Sequence, residues 1–324
     1  MTCLEGKLVA WFGEFDRRDA ASAGGKGASL SDMARAGLPV PPGFVVCTHT
    51  FKEFLNGSGL NDYILASLEQ IDVEDTAALD QVARTITERI ETQEAPEALR
   101  RVILEAYHRM CDEYGGTAVV AVRSSAAAED SEAASFAGQQ ETYLNVFGDH
   151  HVLNQVRACW GSFFHSRAIF YRKQRGDLKD TSIAVVVQRM VDPDKSGVMF
   201  TVDPVQRRRD RLMIEAAWGL GEAVVSGLVT PDNYVVRKRD GKLISKHISH
   251  KPEMIVRQDS GVGVKHVPLG PEKADAQVLT PDEIDRLAQL GQQIEGHFGA
   301  PQDVEWAIEG ENLYVLQSRP VTTL

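Results

Sequence analysis

A short glycine-rich segment near the start of the chain carries one basic residue and precedes a predicted helix. In Gly24-Gly25-Lys26-Gly27 the glycines allow the backbone to approach a ligand closely, and a helix N-terminus attracts anions. Lys26 is therefore a candidate ligand for a phosphate oxygen. Taken alone, the segment is more typical of a flexible turn with a solvated lysine. It also lacks the spacing of a Walker A loop.

A second basic residue stands at the end of a strongly apolar segment. Thr117–Arg123 predicts a strand, and residues 124–140 are rich in Ser, Ala and Gly without periodicity, which predicts a loop. An arginine at this junction can present its planar set of donors to a phosphate. An ordinary surface loop with one exposed arginine explains the pattern about equally well.

Gln188, Met190 and Val191 close a third apolar segment, Ile183–Val191, which predicts a strand. Where such a strand leads into a hinge, its backbone can offer hydrogen bonds to the edge of an adenine ring. The sequence alone favours a plain core strand.

An acidic residue, Glu222, follows the glycine-rich turn Trp218-Gly219-Leu220-Gly221. Its carboxylate can bind Mg²⁺ or a ribose hydroxyl. A turn followed by a glutamate at a helix N-terminus is at least as good an interpretation.

The C-terminal segment predicts a β-hairpin around Glu309-Gly310-Glu311, with strands Asp303–Ile308 and Asn312–Arg319. Side chains alternate between the faces of a strand, so we expect Trp306 to lie opposite Tyr314. The apolar face then carries Val304, Trp306, Tyr314 and Leu316. The other face carries Asp303, Glu305, Gln317 and Arg319. Carboxylate and amide oxygens on a rigid hairpin suit Mg²⁺, although a solvent-facing ion pair is the alternative.

The elements that must position these residues fall into two parts. Residues 1–190 mix helix and strand, with a helical stretch over about 49–114 and a long helix predicted over His151–Gln174. Residues 191–324 are rich in strands and contain one strong helix signal, a capping box at Thr280-Pro281-Asp282-Glu283. We therefore predict two domains, 1–190 and 191–324.

Composition narrows the class of protein. The 324 residues include 43% hydrophobic and 25% charged residues, as in an ordinary globular protein, and the net charge is −11. So acidic a chain argues against nucleic acid as a partner. No stretch reaches membrane-spanning length and no signal peptide is visible, so we expect a cytoplasmic protein with no membrane partner.

Five segments in order resemble the ATP-binding domain of the phosphoenolpyruvate synthase and pyruvate, phosphate dikinase family. They lie at residues 24–46, 121–146, 188–204, 215–234 and 303–322, and together they are very specific. The resemblance implies an α+β, ATP-grasp fold with two lobes and the nucleotide in the cleft between them. It also implies ATP and Mg²⁺ as cofactors.

The resemblance also implies roles for individual residues. Lys26, Arg123 and Arg319 match the catalytic, phosphate-binding cations of the family, and Glu305 and Gln317 match its Mg²⁺ ligands. Glu222 matches a further acid of the ATP site. Gln188, Met190 and Val191 match the hinge that faces the adenine.

The family pyrophosphorylates a histidine on a separate domain, with release of AMP, for transfer to an acceptor. The sequence has no counterpart of that histidine domain or of the acceptor-binding domain. We therefore expect an excised domain or a separate subunit that needs a phosphohistidine- and acceptor-binding partner, as in a split member such as phenylphosphate synthase. Pyruvate, phenol or a similar compound would be the acceptor. The alternative is a nucleotide-binding regulatory module without turnover.

Overall fold

The computed structural model describes residues 4–126, 141–176 and 182–322. The chain divides into two compact units, one formed by Met1–Asp32 with Pro42–Arg189 and the other by Met33–Pro41 with Met190–Leu324. Most of the serine- and glycine-rich segment predicted as a loop, 127–140, lies outside the described residues. No helix in the described part of the chain is long and apolar enough to cross a bilayer.

The first unit contains a five-stranded sheet and most of the helices. Its elements in chain order are β1 (Val9–Trp11), α1 (Ala20–Arg35, whose last three residues belong to the second unit), β2 (Gly43–Val46), α2 (Thr48–Gly57), α3 (Leu60–Gln70), α4 (Thr76–Thr92), α5 (Glu97–Tyr114), β3 (Val120–Ala126), β4 (Thr142–Val146), α6 (Asp149–Ser162), α7 (Ser166–Arg175) and β5 (Ile183–Arg189). A single 3₁₀ turn, Arg17–Asp19, precedes α1.

The sheet of the first unit has the strand order β1-β2-β5-β3-β4, and all neighbouring strands are antiparallel. Alternate side chains of its strands, such as Phe44, Val122 and Val187, join the apolar residues of α2–α6 in one core. Trp160 is fully buried in this core, with its ring centroid 4.9 Å from that of Phe54. The helices thus cover one face of the sheet.

Three predicted boundaries in the first unit were wrong. β3 continues to Ala126, because its pairing with β5 extends to Ala126 opposite Ile183, so Ser124 and Ser125 lie in a strand. The helix predicted over 151–174 is two helices, separated where His165 has extended backbone angles. β5 ends at Arg189, so Met190 and Val191 are not in a strand.

The second unit is built on a six-stranded antiparallel sheet with the order β13-β12-β6-β7-β8-β9. Its elements are β6 (Lys195–Phe200), β7 (Arg211–Trp218), α8 (Glu222–Val225), β8 (Asp232–Arg237), β9 (Leu243–His247), β10 (Glu253–Arg257), β11 (Val264–Pro268), α9 (Pro271–Ala274), α10 (Pro281–Phe298), β12 (Gln302–Glu309) and β13 (Asn312–Pro320). Strands β10 and β11 pair separately as a hairpin.

Helix α10 covers one face of the six-stranded sheet. The predicted capping box at its start is confirmed: the Thr280 hydroxyl accepts from the Glu283 backbone N–H, and the Glu283 carboxylate accepts from Thr280 N–H. Its apolar side packs on Met199, Ile214 and Trp306, which are fully buried. Because α10 covers the apolar face of this sheet, the polar side chains of the strands lie on the opposite face.

A buried ion pair anchors the loops beside β8. The Lys251 ammonium lies 2.5 Å from the Asp232 carboxylate, and both side chains are almost fully buried. Asp232 also accepts hydrogen bonds from the backbone N–H groups of Ser249 and Val278 and from the Tyr234 hydroxyl. Because a buried charge is tolerated only when its partners are in place, this cluster holds two loops against one strand.

Candidate functional site

A break in α1 places a helix N-terminus at the glycine-rich segment. Gly24 has φ 69° and ψ 165°, so the helix restarts after it. The Ser125 hydroxyl of β3 accepts a hydrogen bond from Gly27 N–H and donates one to the carbonyl of Ala23, both at 3.1 Å. A Cβ at Gly24 would lie 2.2 Å from the carbonyl oxygen of Ser125, so a glycine is needed there.

Lys26, in the first turn after the break, is only 5% exposed. Its ammonium donates a hydrogen bond to the carbonyl oxygen of Ser124, 2.8 Å away. The contact joins residues 98 positions apart in the sequence. The helix restart, Lys26 and the end of β3 therefore form one local structure.

Arg123 and Gln188 lie on the sheet face against which α1 packs. Arg123 is opposite Val186, and Gln188 is opposite Ala121, on the side away from the apolar core. A Cβ at Gly27 would contact Val45 and Val186 on that same face. The first unit thus brings together Lys26, Arg123 and Gln188, which are 5%, 8% and 2% exposed.

The C-terminal hairpin forms as predicted, but in a different register. Trp306 lies opposite Val315 and not Tyr314, which pairs with Ala307. The register shifts between Glu305 and Trp306, because β13 contains one extra residue, Leu316, at that point. Tyr314 therefore belongs to the polar face. Val315 instead occupies the buried position opposite Trp306 that was predicted for Tyr314.

The predicted polar face is retained despite this shift in register. Glu305 lies directly opposite Gln317, and Asp303 lies opposite Arg319. Two nitrogens of the Arg319 guanidinium, Nε and Nη2, contact Asp303 Oδ2 at 2.9 and 2.8 Å. Asp303 therefore holds Arg319 beside the pair formed by Glu305 and Gln317.

The sheet extends this face with two residues that the sequence analysis missed. Glu305 pairs with Val198, Val198 with Glu215, and Glu215 with Asn233, so one row of partly exposed side chains crosses the sheet. The detectable signal was a charged residue inside the otherwise apolar strand β7. The row became visible only once the strand order was known.

Two carboxyl groups on this face have shifted pKa values. Burial raises the pKa of Asp303; the Arg319 guanidinium opposes that shift, and Glu305 adds to it. Burial also raises the pKa of Glu215, and the nearby Asp303 carboxylate adds to the increase. The face therefore concentrates negative charge that a cation would stabilise.

The other predicted site residues of the second unit are Glu222, Met190 and Val191. Glu222 lies near this face, and Met190 and Val191 precede β6 in the chain. Glu222 is the exposed first residue of α8, and the preceding Gly221 packs over Ser196, which shares its face with Val198. Met190 and Val191 are buried residues of the segment that connects β5 and β6. Glu222 thus shares a side of the sheet with Glu305.

The oxygen donors on this face fit a magnesium ion. Glu305 and Gln317 provide a carboxylate and an amide oxygen from adjacent strands, and Mg²⁺ binds such hard ligands. Among the described residues no group of three or more His, Cys, Asp or Glu side chains is arranged to hold a metal.

The structure thus has an anion-attracting helix end with buried cations in one unit and a carboxylate-rich sheet face in the other. With the α+β architecture, these are the features expected of an ATP-binding domain of the ATP-grasp class. Residues 20–324 match the family described as the pyruvate phosphate dikinase AMP/ATP-binding domain, and the chain belongs to that family. The resemblance inferred from the five sequence segments is confirmed.

Relatives bear names from the same group of phosphotransferases. The chain is 53% identical over 98% of its length to a probable phosphoenolpyruvate synthase of Archaeoglobus fulgidus, covering 42% of that protein. It is 49% identical over 98% of its length to one of Methanothermobacter thermautotrophicus, covering 46%. A rifampicin phosphotransferase of Bacillus cereus is 39% identical over 98% of this chain, which covers 36% of it. The chain thus spans less than half of each relative.

Proposed function

We propose that this chain binds Mg·ATP and transfers a pyrophosphoryl group to a histidine of a partner subunit. The names phosphoenolpyruvate synthase and rifampicin phosphotransferase among its relatives support this chemistry. The observation that carries the proposal is the grouping of Lys26 and Arg123 beside the restarted helix α1, because buried cations at a helix N-terminus suit a polyphosphate.

In this proposal each predicted residue has one task. Lys26, Arg123 and Arg319 bind phosphate oxygens, and the backbone near Gln188, Met190 and Val191 binds the adenine. Glu222 contacts the ribose, while Glu305 and Gln317 hold Mg²⁺. The ion would neutralise charge on the phosphates and orient them.

In this transfer the chain positions ATP and stabilises its charges, and it forms no covalent bond to the transferred group. A nitrogen of the partner's histidine attacks the β-phosphorus of ATP, the bond from that phosphorus to the α–β bridging oxygen breaks, and AMP leaves with the electron pair. Hydrolysis then releases the outer phosphate. The inner phosphoryl group passes to an acceptor such as pyruvate or phenol. Fixed cations accelerate such a reaction by stabilising the charge on the transferred group and its leaving group.

AMP production tests the proposal. The chain is incubated with Mg²⁺ and ATP labelled at the β-phosphate, alone and with polypeptides that co-purify with it from its source. We expect AMP and an acid-labile label on a partner only in a productive mixture. Tight ATP binding with no AMP in any mixture would instead support a regulatory module without turnover.

A further inference from the structure

A small cavity in the first unit lies on the helical side of the sheet, away from the face that carries Lys26 and Arg123. It has a volume of about 110 Å³ and is lined mainly by residues of α5, α6 and the connection between α4 and α5. Arg100, Arg157 and Trp160 are among the lining residues that carry nitrogen donors. None of them has a role in the proposed reaction.

Each of these residues has a buried N–H group without an acceptor among the described residues. The groups are the Nε of Arg100, the Nε of Arg157 and the indole Nε1 of Trp160, which is 0% exposed. A buried donor that lacks an acceptor costs about 1–3 kcal/mol. Three such donors around one cavity indicate a ligand that accepts hydrogen bonds.

The charge of Arg157 is also not balanced by a direct ion pair. Its Nη1 donates to the carbonyl of Gln93 at 2.9 Å and its Nη2 to the amide oxygen of Asn154 at 2.5 Å, both of which are neutral. No described carboxylate lies within 4 Å of this guanidinium. The cavity therefore keeps positive charge in a chain whose net charge is −11.

Two acidic groups lie near the cavity, and among the described residues neither forms an ion pair with Arg157. Glu94 also lines the cavity and lies 3.6 Å from Arg100, but its side chain is 78% exposed. Glu91 also interacts electrostatically with Arg157, and burial raises the pKa of its carboxyl group. His150, which lines the cavity as well, contacts Asn154 at 2.9 Å.

We propose that this cavity binds a small oxyanion, either phosphate or a short carboxylate, through Arg100, Arg157 and the indole of Trp160. The volume is ample for such a ligand, since about 10–15 Å³ on the same measure already admits one water molecule. Two guanidinium groups and one neutral N–H form a donor set typical of oxyanion recognition.

The indole N–H of Trp160 offers a direct readout. The chain has four tryptophans, so a spectrum of protein labelled with ¹⁵N at tryptophan shows few indole resonances, and Trp160→Phe identifies the relevant one. Sodium phosphate and sodium acetate are titrated separately, with sodium chloride holding the ionic strength constant. Trp306 is the internal control, because its indole N–H is equally buried and also lacks an acceptor among the described residues.

We expect a saturable shift of the Trp160 resonance with phosphate, acetate or both, and none at Trp306. A response to phosphate alone identifies a phosphate site, and a response to acetate a carboxylate site. No saturable shift with either anion, or an equal shift of both indoles, would overturn the proposal.

Variants separate this cavity from the nucleotide-binding residues. In Arg100→Met the anion concentration that half-saturates the Trp160 shift should rise by about tenfold or more, since a charged hydrogen bond is lost. Arg101→Met removes the same charge one position along, at an exposed residue that does not line the cavity, and should leave the affinity unchanged. Lys26→Met, shown to be folded by its unchanged Trp306 resonance, should retain the full response; a loss in the folded variant would show that the anion binds at the glycine-rich segment.

Discussion

The Lys26 ammonium donates a hydrogen bond to the carbonyl oxygen of Ser124, 2.8 Å away, and so ties the restarted helix α1 to the end of β3. Lys26 is therefore both a candidate phosphate ligand and part of the first unit's structure. Replacing Lys26 should therefore lower stability as well as activity, whereas replacing a lysine that only binds ligand should lower activity alone.

Lys26→Met is expected to impair both activity and stability. We expect AMP formation with a productive partner to fall roughly a hundredfold or more, because one cation of the phosphate site is lost. The free energy of unfolding should fall by about 1–3 kcal/mol with the hydrogen bond to Ser124. Denaturant titration and the AMP assay measure the two effects. Lys52→Met, at an exposed position of α2, should change neither.

Gly24→Ala should destabilise the first unit by about 3 kcal/mol or more. The substitution combines a positive φ of 69° with a Cβ placed 2.2 Å from both oxygens of Ser125. Gly37→Ala is the matched control, since its φ of 77° is similar but no atom lies within 4 Å of the added Cβ. It should cost only about 1–2 kcal/mol. Equal losses in the two variants would contradict the packing of Ser125 against the helix break.

Glu305→Gln tests the magnesium site. The carboxylate should be a ligand of the ion that accompanies ATP, so the Mg²⁺ concentration for half-maximal nucleotide binding should rise about tenfold, equivalent to roughly 1.4 kcal/mol. Calorimetric titration at several Mg²⁺ concentrations measures this. Glu311→Gln, in the exposed turn of the same hairpin, should leave the dependence as it is. If the Mg²⁺ dependence of nucleotide binding were unchanged in Glu305→Gln, Glu305 would not be a ligand of the ion.

Glu215→Gln should stabilise the metal-free protein at neutral pH. Burial raises the pKa of Glu215 above its usual value in the folded chain, so ionisation costs more in the folded than in the unfolded state. This cost develops as the pH rises from the unfolded pKa of about 4.3 through the folded value. Melting curves should show a gain at pH 7–8 that disappears below about pH 4. A gain that is constant with pH would indicate another cause.

Lys251→Met should be among the most destabilising substitutions in the second unit. It leaves the buried Asp232 carboxylate without its cation, which costs about 3–5 kcal/mol. Denaturant titration measures the loss. Lys246→Met is the control, because that lysine is exposed and its ammonium donates to the neutral side chain of Gln277. A small loss in Lys251→Met would show that this ion pair does not hold the loops beside β8.

Local patterns predicted most of the elements in both units. The capping box at Thr280 located the start of α10, and the Glu309-Gly310-Glu311 turn located the C-terminal hairpin. These signals work because capping and tight turns depend on residues only a few positions apart. The division of residues 151–174 into two helices was not predicted, because the apolar spacing continues across the break.

The sequence by itself determined that Asp303 and Glu305 share one face of their strand, and that Gln317 and Arg319 share one face of theirs, because side chains alternate along any strand. Tertiary structure alone decided that Trp306 meets Val315, that Glu215 and Asn233 continue the row of Glu305, and that Lys26 reaches Ser124. The reason is physical: alternation is a property of one strand. Register, strand order and contacts between distant segments instead depend on how separate parts of the chain pack together.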